Sequence, residues 1–193
     1  MAKNEEFMDL AAAIAEAVAG TTASTIEEAN KVALASGQTV EDAISALSIK
    51  IGEKLELTNV AQYTGQTHVY LHRRSQDLPP QVGVLVEYEG DDEALVHSVA
   101  LQIASMSPSV VHQGEIADEV IESEKRIAEA TAREEGKPDK VIPRIVEGRV
   151  KDFFKDTCLV EQAAIFGDTA TVGEALDKAG VVVTRFVRFA AGA

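Results

Sequence analysis

"VGVLVEYEGDDEALVHSVALQIAS", residues 82–105, is the stretch from which the fold is read. Its first part is a β-branched run that ends at Gly90, which reads as a strand. From Asp91 the period changes. Val96, Val99, Ala100 and Ile103 fall at helical spacing behind the acidic start "DDE". A strand therefore turns directly into an amphipathic helix.

The same helix pattern stands at the head of the chain. In "AKNEEFMDLAAAIAEAVAG", residues 2–20, Phe7, Leu10, Ala11 and Ile14 repeat the spacing of Val96, Val99, Ala100 and Ile103. Asn4 is placed to cap this helix, Glu5 and Glu6 suit its first turn, and Gly20 closes it. A second correspondence follows further along. "TVEDAISALSIKIGEKLELTNVAQY", from Thr39, and "TVGEALDKAGVVVTRFVRF", from Thr171, both open as a Thr-capped helix. Both close in an extended run, Leu57–Tyr63 in the first and Val183–Phe189 in the second, which predicts a strand in each. The chain is thus read as a repeat of helix, connector, short helix and strand. The second copy has the strand 82–90 before its helix, while only three residues precede Asn4 in the first. This leads us to expect a fragment of a longer protein, with Met1 at an artificial start and the first copy one strand short. A sheet edge exposed by that loss would offer unpaired N–H and C=O groups for self-association.

The remaining elements follow from local signals. A short helix is expected over 25–36 from a Thr25 cap, and a strand over 67–74. "SQDLPPQ" is a connector, because adjacent prolines cannot donate ladder hydrogen bonds. Residues 115–135 and about 139–156 read as two helices around "EGKPD", an antiparallel hairpin. Gly136 suits the end of the first helix and Pro138 the first turn of the second. Ile116, Val120, Ile127 and Ala130 form a thin apolar seam, too thin to bury both helices, so the hairpin is expected to project. Pro143 predicts a kink or a late start, and Gly148 a close packing contact. The fold class is α+β: two repeated αβ subdomains with small antiparallel sheets flanked by helices, over 1–80 and 81–193, the hairpin inserted in the second at about 115–156.

Composition narrows the function. A net charge of −14 disfavours nucleic acid and anionic membranes, whose binding needs clustered Lys and Arg. It fits a partner with a basic face, or serves solubility alone. The single cysteine, Cys158, excludes an internal disulfide. No run approaches the ~20 apolar residues of a membrane span, and no signal segment is visible, so a cytoplasmic protein is expected. His68 and His72 share one side of their strand, as a surface or interface pair or as two ligands of an incomplete metal site. Cys158 has no base beside it, "IESEK" is a solvated face, and neither a P-loop nor a dinucleotide fingerprint occurs. No cofactor is expected, nor an enzyme; the chain reads as a binding protein.

Nine segments in order complete the reading: "AKNEEF" at 2–7, "IGEKLEL" at 51–57, "YLH" at 70–72, "GVLVEYEG" at 83–90, "EGKP" at 135–138, "RIVEGRVKDF" at 144–153, "CLVEQ" at 158–162, "TVGEAL" at 171–176 and "VTRFVRF" at 183–189. Together they resemble translation elongation factor Ts. The resemblance implies a guanine-nucleotide exchange factor that binds the GTPase elongation factor Tu and promotes GDP release, with two αβ core subdomains and a protruding coiled-coil hairpin. It implies partner contacts at Ala2, Lys3, Asn4 and Phe7, at His72 and Arg73, and at Val84, Phe186 and Arg188. The family's N-terminal helical domain and the Thr-Asp-Phe-Val motif that precedes Ala-Lys-Asn do not occur in this sequence. The Asp-Phe pair is the group that disturbs the nucleotide's Mg²⁺ site in the family, so impaired exchange is expected. The reading from another class is a structural or dimerisation module without exchange activity.

Overall fold

Val82, Val84, Val86 and Tyr88 all point to one side of β2 (Val82–Glu89), and each is at most 4% exposed. That side is covered by α4 (Glu93–Met106), whose Val96, Val99, Ala100 and Ile103 are fully buried. Period two meets period 3.6, and together they make the main core. The computed structural model describes residues 4–73 and 80–191. Mixed helices and a small antiparallel sheet make the class α+β.

The sheet has the order β1-β2-β3, with β1 spanning Thr67–His72 and β3 Val182–Ala190. Both neighbours run antiparallel to β2; His68 faces Val86, and Val84 faces Arg188. β1 ends at His72, where a strand is expected over 67–74; Arg73 carries no strand, and residue 74 lies outside the described residues, with most of the "SQDLPPQ" connector. A bulge at Glu87/Tyr88 leaves Thr184 as the extra residue, so Val183 and Phe186 both lie on the core side. Gly90 ends β2 with φ +118, and a Cβ there would lie 3.0 Å from the Gly180 carbonyl oxygen.

The chain divides into two units, Gly65–His72 with Val82–Ala190 in the second and the residues up to Thr64 in the first. In the first, α1 (Glu5–Ala19) starts at the Asn4 cap and ends at Gly20, as expected. Its Leu10, Ile14 and Ala17 pack on the small buried cluster of Leu34, Val40 and Ala43. α2 (Ile26–Asn30) has a full capping box, Thr25 with Glu28, but stops short of the expected 36. The chain turns instead at Gly37 so that Ala33 bridges Thr39, closed by Leu34 N–H to Gln38 O at 2.8 Å and Val40 N–H to Val32 O at 3.0 Å. α3 (Val40–Ile51) runs from the Thr39 cap to a left-handed Gly52. The strand expected at 57–63 does not form. Its side chains have strand character, but no strand within the described first unit pairs with it, and an unpaired strand is not stable in water.

α5 (Asp118–Glu134) and α6 (Ile142–Thr157) make the antiparallel hairpin and pack mainly on each other. Gly136, at φ +71, takes the position after the α5 cap, and Pro143 sits in the first turn of a late-starting α6. The seam differs from the expected one. Ala128, Ala132 and Ile142 are the buried residues, while Val120 and Ile127 are 45% and 54% exposed. Ala128 and Ala132, four residues apart, share the buried side of α5, and Val120 and Ile127, seven apart, fall on another side. Gly148 is no close-packing site, since a Cβ there would meet nothing within 4 Å. Finally α7 (Val172–Ala179) runs from the Thr171 cap to a left-handed Gly180.

Candidate functional site

β1 and β3 have two distinct faces. On the α4 side lie His68, Tyr70 and His72 of β1 and Phe186 and Arg188 of β3. On the opposite side the register sets Val69 beside Leu85 and Val187, and Leu71 beside Gly83 and Phe189. This second face is apolar as well. Val69 and Leu71 are 61% and 59% exposed, and the other three large side chains are half-buried. An antiparallel sheet with one covered face ordinarily turns polar residues to water on the other. An apolar row across three strands, exposed at Val69 and Leu71 of β1, instead suits an interaction surface.

A charged clamp borders that face. Glu87 accepts from the Gly65 backbone N–H at 2.9 Å and from Arg185 Nε at 2.7 Å and Nη2 at 3.1 Å. Thr184 Oγ1 donates to the same carboxylate at 3.2 Å. The Arg185 hydrogen bond, then that of Gly65, hold the Glu87 carboxyl down to about 2. On the other side of α4, a buried amide pair fixes the segment after α6. Gln102 donates to Gln162 Oε1 and to the Ala163 carbonyl, each at 3.1 Å, and accepts from Ile165 N–H at 2.9 Å. Gln162 in turn donates to the Asp156 carbonyl at 3.1 Å. Cys158 is fully buried, and burial pushes its thiol up, away from reactivity.

A family model described as Elongation factor TS matches residues 1–193. The chain belongs to the elongation factor Ts family. It is 56% identical over 192 residues to the elongation factor Ts of Cutibacterium acnes (strain DSM 16379 / KPA171202), covering 100% of this chain and 71% of that protein. To the elongation factor Ts of Mycobacterium bovis (strain BCG / Pasteur 1173P2) it is 52% identical over 192 residues, covering 100% of this chain and 70% of that protein. The same 52% identity and the same coverage hold for the protein of that name from Mycobacterium tuberculosis (strain ATCC 25177 / H37Ra). Elongation factor Ts is a factor of protein synthesis, and no helix among the described residues is long and apolar enough to cross a membrane.

The residues that the elongation factor Ts resemblance singles out fall into three groups. Ala2 and Lys3 lie outside the described residues. Asn4 and Phe7 belong to the start of α1, where Asn4 Oδ1 accepts from the Phe7 N–H at 3.2 Å. His72, Val84, Phe186 and Arg188 come together in one sheet, with Arg73 exposed just beyond β1. Within that sheet their surroundings differ. Val84 is 1% exposed and packs in the core, and Phe186 packs against it. Arg188 donates from Nε to the Ala104 carbonyl at 3.2 Å, across the last turn of α4, where a cation is favoured. His72 Nδ1 lies 3.0 Å from the Tyr70 hydroxyl. Sequence reasoning missed Val69, Leu71, Leu85, Val187 and Phe189. The signal was present in "THVYLH" and "VTRFVRF", where both alternating sets contain apolar residues.

Proposed function

We propose that this chain is the core of a guanine-nucleotide exchange factor, and that it binds elongation factor Tu. Membership of the elongation factor Ts family over residues 1–193 carries the reading. The exposed apolar side chains of Val69 and Leu71 on the sheet support it, since a binding module needs apolar surface open to a partner. We assign contacts to the N-terminal turn around Asn4 and Phe7, to His72 and Arg73, and to the sheet with Phe186 and Arg188. Val84 supports that sheet from beneath. The protein acts in the cytoplasm, where the partner GTPase works.

Exchange requires antagonism. A factor that lowers GDP affinity by some ratio is itself bound more weakly by that ratio when GDP is present, and such couplings are about 1–3 kcal/mol. The resemblance puts the group that disturbs the Mg²⁺ site in a motif outside these 193 residues. A polypeptide of these residues alone therefore binds the GTPase and accelerates GDP release less than a relative that carries the motif.

The test measures release of fluorescent GDP from elongation factor Tu, with and without saturating chain, and then binding with and without excess GDP. Binding with weak acceleration is expected. Acceleration equal to that of a motif-bearing relative would place the main lever within these residues. Absence of binding in both nucleotide states would favour a structural or dimerisation module. Leu71→Asp on the sheet face is expected to weaken binding at least about tenfold, or about 1.4 kcal/mol, with the circular dichroism spectrum unchanged.

A further inference from the structure

Three histidines and a tyrosine gather where β1 meets α4. His68 and His97 stand nearest each other, with His68 Nε2 only 3.1 Å from His97 Nδ1. Their rings are nearly perpendicular, 5.2 Å apart at an angle of 86°. Tyr70 meets the His97 ring edge-on at 5.2 Å and 89°, which restrains the plane of that imidazole. Glu93, one turn before His97 on α4, brings Oε1 to 3.5 Å from His68 Nδ1. His97 and Glu93 are exposed, while the His68 side chain is only 13% exposed.

We propose that His68 and His97 form a two-histidine site for a divalent transition-metal ion of the zinc, nickel or copper class. Imidazole nitrogens suit these ions. Two nitrogens at the usual 2.0–2.1 Å from one ion and 3.1 Å from each other subtend about 100° at the metal, between square and tetrahedral coordination. Glu93 places a carboxylate 3.5 Å from the second ring nitrogen of His68, the position where metal-bound histidines ordinarily have an outer partner. The tautomer with its hydrogen on Nδ1, towards Glu93, is the one that frees His68 Nε2 for an ion. His68 Nε2 and His97 Nδ1 are hydrogen-bonding partners, so one of them carries a hydrogen until an ion binds; the ion takes both nitrogens once His97 shifts that hydrogen to its own Nε2. Among the described residues no group of three or more His, Cys, Asp or Glu side chains is arranged to hold a metal. The site therefore has two protein ligands, and water completes the coordination. Tyr70 and His72 are engaged with each other at 3.0 Å and take no part. The ion would tie β1 to α4, and the inference stands apart from the nucleotide-exchange reading.

The experiment is calorimetric titration of the untagged chain with zinc, nickel and copper chlorides in a non-chelating buffer at pH 7.5. One ion per chain is expected. His68→Ala and His97→Ala should each weaken binding at least tenfold, and His72→Ala and His112→Ala should leave it unchanged. Metal should raise the melting temperature of the wild-type chain and not that of His97→Ala. His97→Gln, at an exposed helix position, gives a second variant that folds independently of any loss at His68. Equal affinity in the wild type and both His97 variants would overturn the proposal. So would loss of binding in His72→Ala or His112→Ala, or no binding at millimolar metal. Those results would leave His68 and His97 as a plain hydrogen-bonded pair.

Discussion

Thr39 and Thr171 start their helices in the same way, and the chain then parts company with itself. Each threonine accepts from the backbone N–H three residues on, Asp42 at 3.1 Å and Glu174 at 3.2 Å. Each also forms an isolated antiparallel bridge, Thr39 with Ala33 and Thr171 with Ala163. Each helix ends at a left-handed glycine, Gly52 or Gly180. After Gly180 comes β3, paired along β2; after Gly52 residues 53–66 form no strand, and the next one, β1, belongs to the second unit. The helices of the repeat are specified by caps that lie within a few residues of them. Its strands are specified by neighbours, and only the second unit supplies them.

The difference predicts unequal stability. The second unit buries a cluster that includes Ile103 and Leu159 at 0% exposure, and the first buries Leu34, Val40 and Ala43. Ile103→Ala should cost about 2–5 kcal/mol in urea unfolding, because the fully enclosed site cannot collapse around the cavity. Leu34→Ala, 8% exposed, should fall at the lower end of that range. Hydrogen exchange sharpens the point: amides of α1 should exchange well before those of β2 and α4. Protection of α1 equal to that of α4 would remove the asymmetry.

The next effect tests what the second unit has in place of the simple turn at Gly37. Its corresponding connector is held by the Gln102–Gln162 pair. Gln102→Ala leaves the Ile165 N–H, Gln162 Oε1 and the Ala163 carbonyl without their Gln102 partner in a buried or part-buried place, for about 1–3 kcal/mol. Susceptibility of residues 163–170 to limited proteolysis should rise in parallel. Unchanged cleavage there would show that the amide pair does not hold the connector.

These contrasts also show what the sequence made legible. Asn4, Thr25, Thr39 and Thr171 could be named as caps from residue type and position, because capping is a local contact. The strand at 82–89 and its helix could be read from periodicity, and they hold the main core. Leu57–Tyr63 misled because strand propensity says nothing about whether a neighbour exists. The α5 seam misled because Ala128 and Ala132 look weakly apolar beside Val120 and Ile127, yet they are the residues on the buried side of the helix. The site was half legible. His68 and His72 share one strand face, as period two requires, but His97 comes from another element and only the fold brings it to His68. The apolar outer face escaped because half of each strand's apolar residues were already assigned to the core.

The paired caps give a smaller effect and a cleaner comparison. Thr39→Ala and Thr171→Ala should each cost about 1 kcal/mol, since each removes the same kind of acceptor from the first turn. In a two-unit protein the two losses should appear in different places. Thr39→Ala should speed exchange in α1 and α3, and Thr171→Ala in α7 and β3. If either substitution accelerates exchange throughout the chain, the units unfold as one.

The smallest effect at neutral pH, and the one that separates the units by chemistry, is acid titration. Glu87 is held down to about 2, from an ordinary value of 4.5, first by its Arg185 hydrogen bond and then by the Gly65 N–H. A carboxylate whose folded value is depressed contributes stability above its unfolded value, and that contribution drains away as pH falls through the folded one. The window is therefore pH 4.5 down to about 2. Arg185 is half-exposed, so solvent screens the pair and keeps its contribution modest. The first unit has its own version in Glu28, held below the usual carboxylate range by the backbone N–H of Ser24 and then that of Thr25. Glu28 serves a single helix start, whereas Glu87 joins β2 to β3 and to the chain entering β1. Melting temperatures of wild type and Glu87→Gln, followed from pH 6 to pH 2, should converge as pH falls, with the loss expressed in the sheet. Glu28→Gln should show a similar convergence confined to α2. Parallel curves for Glu87→Gln and wild type across the window would mean that the clamp at the bulge adds no stability through its charge, and that Arg185 and Gly65 are held in place by the strand pairing alone.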